Sequence, residues 1–97
     1  MNCFQVHILA ADKTFYEGPC LSLTISTSDG QQSILAHHSN MIAAIQPGTL
    51  RYQLPGEPAQ IAAVSQGMLK VESRLGEGTV IRVMFPRDIA AARRERN

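Results

Sequence analysis

The sequence predicts an all-β fold, a sandwich or barrel of short strands. Three observations carry this expectation. Apolar and polar residues alternate in several short runs, as they do when one strand face packs on a core and the other meets water. Turn signals separate these runs at intervals of about 8–12 residues. No stretch before Pro86 repeats its apolar residues at the period of a helix.

Residues 4–9 (FQVHIL) alternate, and residues 10–13 (AADK) read as a turn. Residues 14–18 (TFYEG) form a short β-rich piece ended by Gly18-Pro19. The clearest strand is residues 20–27, CLSLTIST: Leu21, Leu23 and Ile25 share one face, and Ser22, Thr24 and Ser26 the other. Asp29-Gly30 is a turn dipeptide, because Asp tolerates a left-handed backbone and Gly adopts it freely. Ser33-Ile34-Leu35 can extend, until the polar run His37-His38-Ser39-Asn40 interrupts it. Residues 41–45, MIAAI, are apolar and short, consistent with a buried strand or a single helical turn. Gln46-Pro47-Gly48 ends that segment, since Pro47 fixes its own backbone and Gly48 permits a reversal.

Residues 49–54 make a further strand, Pro55-Gly56-Glu57-Pro58 turns the chain, and residues 60–64 are its hairpin partner. After Ser65-Gln66-Gly67, residues 68–72 alternate again, and residues 79–85 form the last strand. Arg82 fits that strand only if it points outward. The expected core is Leu21, Leu23, Ile25, Ile34, Ile45, Leu50, Ile61, Val64, Leu69 and Val71. Residues 1–86 are read as the β domain and residues 87–97 as a basic stub, with Asp88 as a candidate helix N-cap. A helix this short is marginal alone, so the stub is expected to be helical or disordered.

Composition narrows the function classes. Ninety-seven residues make one domain, large enough for one core without staples. Aromatics are 5% and Trp is absent, so the core falls to Ile, Leu, Val, Ala and Met. A net charge of +1 gives no general attraction to nucleic acid or anionic lipid. No apolar run approaches the ~20 residues that span a bilayer. The start lacks a basic segment followed by an apolar one, so the chain reads as cytoplasmic. Cys3 and Cys20 then read as two reduced thiols. His37 and His38 are adjacent and face opposite ways on an extended chain, so they do not chelate together. No paired carboxylates or nucleophile elbow stand out; no catalytic residue, metal or cofactor is assigned.

Residues 28–51, SDGQQSILAHHSNMIAAIQPGTLR, resemble the centre of the amino-terminal β-sandwich domain of the epsilon subunit of rotary ATP synthases. Ser28, Gly30, His38, Ile45, Pro47, Gly48 and Arg51 occupy matching positions without a gap. Tyr16 and Gly18 match on one side, and Ser65, Gly67, Leu69 and Val71 on the other, while Gln66 replaces a glycine. The resemblance implies two five-stranded sheets, about ten short strands in all. It implies a non-catalytic central-stalk subunit that binds the gamma subunit and the c-ring and couples proton transport to ATP synthesis. Such a subunit sits peripherally at the cytoplasmic face of the bacterial inner membrane and meets the membrane only through the complex. The positions that map to ring-facing loops are Asp29, Gly30, Gln31 and Gln32, with His38, Asn40, Met41 and Ile42. Ala36-His37 replaces Pro-Gly, Asn40 replaces a second proline, and Gln31 replaces an acidic residue. After Val71 the resemblance weakens. The family's helical hairpin, which restrains ATP hydrolysis, has no counterpart here, so the expectation is coupling without inhibition.

A second resemblance covers residues 72–86: ESRLGEGT, with the strand and Pro86 after it, looks like the final glycine box of sensor histidine kinase ATPase domains. It implies an alternative function, a nucleotide- or phosphate-binding loop at Gly76-Glu77-Gly78-Thr79. The same residues also read as a plain hairpin turn, since glycine permits positive φ.

Overall fold

The computed structural model describes residues 3–36 and 39–94. Ten strands follow in chain order: β1 (Phe4–Ala10), β2 (Lys13–Cys20), β3 (Ser22–Thr27), β4 (Gly30–Leu35), β5 (Met41–Ile45), β6 (Gly48–Gln53), β7 (Gln60–Val64), β8 (Gly67–Arg74), β9 (Gly78–Phe85) and β10 (Arg93–Arg94). They form two five-stranded sheets, ordered β2-β1-β9-β8-β5 and β10-β7-β6-β3-β4. No helix occurs among the described residues. The expected all-β sandwich of about ten strands is therefore the observed fold.

Period-two alternation positions the core. In β1, Phe4, Val6, Ile8 and Ala10 are buried; in β9, Thr79, Ile81, Val83 and Phe85 are buried while Val80, Arg82 and Met84 face out. Arg82 thus points outward, where its Nη1 lies 3.2 Å from Glu72 Oε1. From the second sheet Leu23, Ile25, Ile34 and Leu50 complete the core without measurable exposure. β1 and β9 pair parallel, and every other strand pair is antiparallel.

Three expected core residues are not fully buried. Leu21 lies at the bend where the chain leaves β2 in one sheet for β3 in the other, so residues 20–27 are two strands rather than one. Ile61 takes the outer face of β7, opposite Arg51 and Arg93, because the inward position is the smaller Ala62. Val64 only partly packs against the core. Residues 41–45 resolve as a strand.

The described residues of the stub, 87–94, do not form a helix. Asp88 Oδ1 accepts a hydrogen bond from the amide of the next residue, Ile89, at 3.0 Å and caps nothing. Ile89 is buried in the core cluster, and Arg93 and Arg94 pair with Ile61 and Gln60 of β7. Docking on an open strand edge satisfies backbone groups that a helix of this length would hold only marginally.

Cys20 is buried at the end of β2, its Sγ–H directed at the Ser22 carbonyl at 3.0 Å. Burial pushes its thiol up from an ordinary 9.0 to about 11. Above pH 9 the unfolded chain has lost this proton while the folded chain keeps it. Stability is therefore full below pH 9 and falls as pH rises toward 11, by up to ~1.4 kcal/mol per pH unit. Tyr16 and Tyr52, also raised by burial, act with the same sign. Urea titrations from pH 8 to 11 are expected to show this loss, with a shallower slope in Cys20→Ala.

Candidate partner-binding site

The β3–β4 hairpin presents the first group of site residues. Thr27 pairs with Gly30 across the two-residue loop Ser28-Asp29. The Thr27 hydroxyl accepts from the Asp29 amide at 3.2 Å and donates to the Gly30 carbonyl at 2.8 Å. Gly30 closes the loop at φ 109°, a conformation a side chain would resist. Asp29 is exposed at the tip. Gln31 and Gln32 continue along β4, opposite Ser26 and Ile25.

The second group lies on the other sheet. Asn40 Oδ1 accepts a hydrogen bond from the Ser73 amide at 2.6 Å, fixing the entry to β5 against the end of β8. Met41 pairs with Val71 and Ile42 with Lys70; Ile42 is 67% exposed. At the far end of β5 the Gln46 amide donates to the Ser26 carbonyl at 2.8 Å. Gln32 and Met41 touch, Nε2 to Sδ 3.9 Å. Asp29 and Gly30 lie beyond Ser26, at the Gln46 end of β5, whereas Asn40 lies at its other end. Asp29, Gly30, Gln31, Gln32, Asn40, Met41 and Ile42 thus form a band along one side of the sandwich rather than one loop cluster. His38 lies outside the described residues.

One surface feature went unread in the sequence. Cross-strand register aligns Ala44, Met68, Met84 and Leu9 in a row on the outer face of the first sheet. Met68 and Met84 are about half exposed, at 50% and 46%. An open depression of about 500 Å³ beside them is bordered by Asp12, Gln66 and Pro86. The signal was present in the positions that alternate with the buried residues of each strand, but the sequence does not say which strands are neighbours. The adjacent row runs Ile42, Lys70, Arg82, His7 and Glu17. Beside it Lys70 Nζ stands 3.3 Å from Glu72 Oε1, and Lys70, with Arg82, holds the Glu72 carboxyl below its usual range.

The Gly76–Gly78 segment connects β8 to β9 as a hairpin. Gly76 and Gly78 have φ of 80° and 87°, and the Glu77 amide donates to the Arg74 carbonyl at 3.0 Å. Arg74 faces the Glu77 carboxylate at 3.9 Å. The glycines serve a strand–strand turn, with no following helix to aim backbone amides at a phosphate. Among the described residues no cluster of three His, Cys, Asp or Glu side chains is placed to hold a metal ion.

These features define a two-sheet β-sandwich that presents hairpin tips, strand edges and an apolar row. The chain belongs to the ATP synthase Delta/Epsilon chain β-sandwich domain family, whose model matches residues 3–75. It is 32% identical over 72 residues to the ATP synthase epsilon chain of Nitrosospira multiformis, covering 74% of this chain and 52% of that one. It is 33% identical over 94 residues to ATP synthase epsilon chain 2 of Photobacterium profundum, covering 95% of this chain and 63% of that one. The chain thus spans about half the length of most curated relatives it matches. Among solved structures, a chain of the Euglena gracilis mitochondrial ATP synthase OSCP/F1/c-ring assembly superposes with TM-score 0.71 at 22% identity, over 93% of this chain and 53% of that one. A chain of the Tetrahymena thermophila mitochondrial ATP synthase central stalk and c-ring gives TM-score 0.70 at 14% identity, over 90% and 65%. At these identities the likeness is one of fold.

Proposed function

We infer that this chain acts as the β-sandwich of an epsilon-type central-stalk subunit in an F-type ATP synthase. It binds the gamma subunit and the c-ring, helps couple proton transport to ATP synthesis, and performs no chemistry of its own. It works at the cytoplasmic face of a bacterial inner membrane, held there through the complex. The observation that carries this reading is family membership across residues 3–75, the span that contains the whole candidate band. The contacts assigned to the band are made by Asp29, Gly30, Gln31 and Gln32 at the hairpin and by His38, Asn40, Met41 and Ile42 at the crossover to β5. Exposed Ile42 supplies apolar area there, and Gln31 and Asp29 supply hydrogen-bonding groups.

The test uses single cysteines at Gln31 or Ile42 in a Cys3→Ser background, since Cys3 is exposed and would react. In membranes carrying the synthase, oxidation or a short bifunctional maleimide is expected to join this chain to a c subunit or to gamma. If both positions catch neither, the stalk reading fails.

A further inference from the structure

The outer face of the first sheet holds two methionines side by side. Met68 of β8 and Met84 of β9 are cross-strand partners in an antiparallel ladder, which sets their Cβ atoms ~5 Å apart. Both point outward, because Leu69 and Val83, one step along each strand, take the core side. Ala44 and Leu9 continue the row on either side, and the open depression adjoins it. Met41, the other described methionine, is placed differently. It packs partly against the core, and Gln32 Nε2 lies 3.9 Å from its sulfur. The next outward pair along β8 and β9 is Lys70 and Arg82. Each carries more N–H donors than its contact with Glu72 uses, at 3.3 and 3.2 Å.

We propose that Met68 and Met84 form a paired oxidation site, at which hydrogen peroxide converts an apolar row into a polar one. In each event a thioether sulfur attacks one peroxide oxygen. An S–O bond forms and the O–O bond breaks. The departing hydroxide takes the proton left on the transferred oxygen and leaves as water. The sulfide is oxidised to a sulfoxide by two electrons, and the peroxide is reduced by the same two. Peroxide has to reach the sulfur, so the half-exposed pair reacts ahead of the part-covered Met41. Lys70 and Arg82 offer charged donors to the new oxygens, which keeps the oxidised side chains on the surface and leaves the sheet in place. Because the two sites are neighbours, both polar groups fall within one patch. An apolar molecule covering the row would then have to desolvate two sulfoxide oxygens, so oxidation closes the row. Sulfoxide reductases restore the thioethers, which makes the change a switch. The site rests on strand register and exposure and does not depend on the stalk reading.

The test treats the isolated chain with hydrogen peroxide at neutral pH, in a Cys3→Ser background because that exposed thiol also reacts. Cys20 is buried and stays in place. Peptide mass mapping is expected to find one oxygen on Met68 and one on Met84 ahead of Met41. The dye anilinonaphthalene sulfonate reports the state of the row. Its fluorescence with the chain is expected to fall severalfold on oxidation and to return after sulfoxide reductases and dithiothreitol are added. Met68→Leu with Met84→Leu keeps the row apolar without sulfur, and is expected to bind the dye equally before and after peroxide. Circular dichroism checks that each form is folded. Oxidation of Met41 as fast as Met68 and Met84 overturns the proposal. So does a reduced chain that binds no dye, dye binding that survives oxidation of both residues, or a loss as large in the double variant. An oxidised chain that unfolds likewise overturns it, since the change would then be damage to the fold and not a switch of its surface.

Discussion

Leu23→Ala is expected to cost about 2–5 kcal/mol of unfolding free energy. Leu23 sits in β3, fully buried, with Tyr52 and Ile34 as its cross-strand partners. Removing three carbons there loses their transfer free energy and leaves a void that close-packed neighbours on both sheets fill only in part. The paired control is Ile61→Ala on the outer face of β7, where a loss of about 1 kcal/mol or less is expected. Urea denaturation of the two variants decides the register. Equal costs would mean that β3 or β7 is turned the other way.

Gly67→Ala is the second large effect, at about 1–3 kcal/mol, from overpacking rather than from a void. A methyl group at position 67 would stand 2.5 Å from Phe85 Cδ1 and 2.6 Å from the Met84 carbonyl oxygen. The phenyl ring is itself buried, and the carbonyl belongs to the β8–β9 ladder, so neither moves without disturbing β9. Gln66→Gly next door is the contrast. Gln66 replaces the family's glycine, yet its backbone is not among the described non-glycine residues with positive φ. It therefore carries its side chain without strain, and the change should cost only the entropy of a freer unfolded chain, about 0.5–1 kcal/mol. Thermal melts of both variants check the pair. A Gly67→Ala chain as stable as the native one would mean that β8 and β9 lie farther apart at this point.

Much of the fold was readable because each strand carries its own pattern. Val71, Leu69, Leu23 and Ile25 announced their faces by alternation alone, and Asp29-Gly30 announced its hairpin. What alternation cannot do is say where a strand crosses between sheets: Leu21 continues the pattern of Leu23 and Ile25, yet it lies at the crossing and is only half-buried. Nor can it rank two apolar neighbours, which is how Ile61 was placed inside and Ala62 left out. The tail misled for another reason. Asp88 and the alanines after it have local helix character, but an open edge on β7 and a core niche for Ile89 lie far away in sequence. The candidate band came from a resemblance, and its described residues fall into two groups, at β4 and at β5, because those strands belong to different sheets. The Met68–Met84 row was invisible until the strand order placed the two methionines side by side.

The parallel pairing of β1 with β9 has a consequence for how the chain is made. Gln5 lies beside Val80 and Ala10 beside Phe85, so the first strand synthesised waits 75 positions for its neighbour (80 − 5 and 85 − 10). Until Phe85 leaves the ribosome, β1 can form only its hairpin with β2, which alone is marginal in water. Contacts this distant in sequence close slowly, since the whole intervening loop must be drawn in before they form. The emerging polypeptide therefore carries Val6 and Ile8 without a finished sheet to pack into until residue 85 has been made. It completes its first sheet only once Phe85 has been added, and an arrested product ending at residue 75 should be bound by chaperones rather than accumulate as a smaller folded domain.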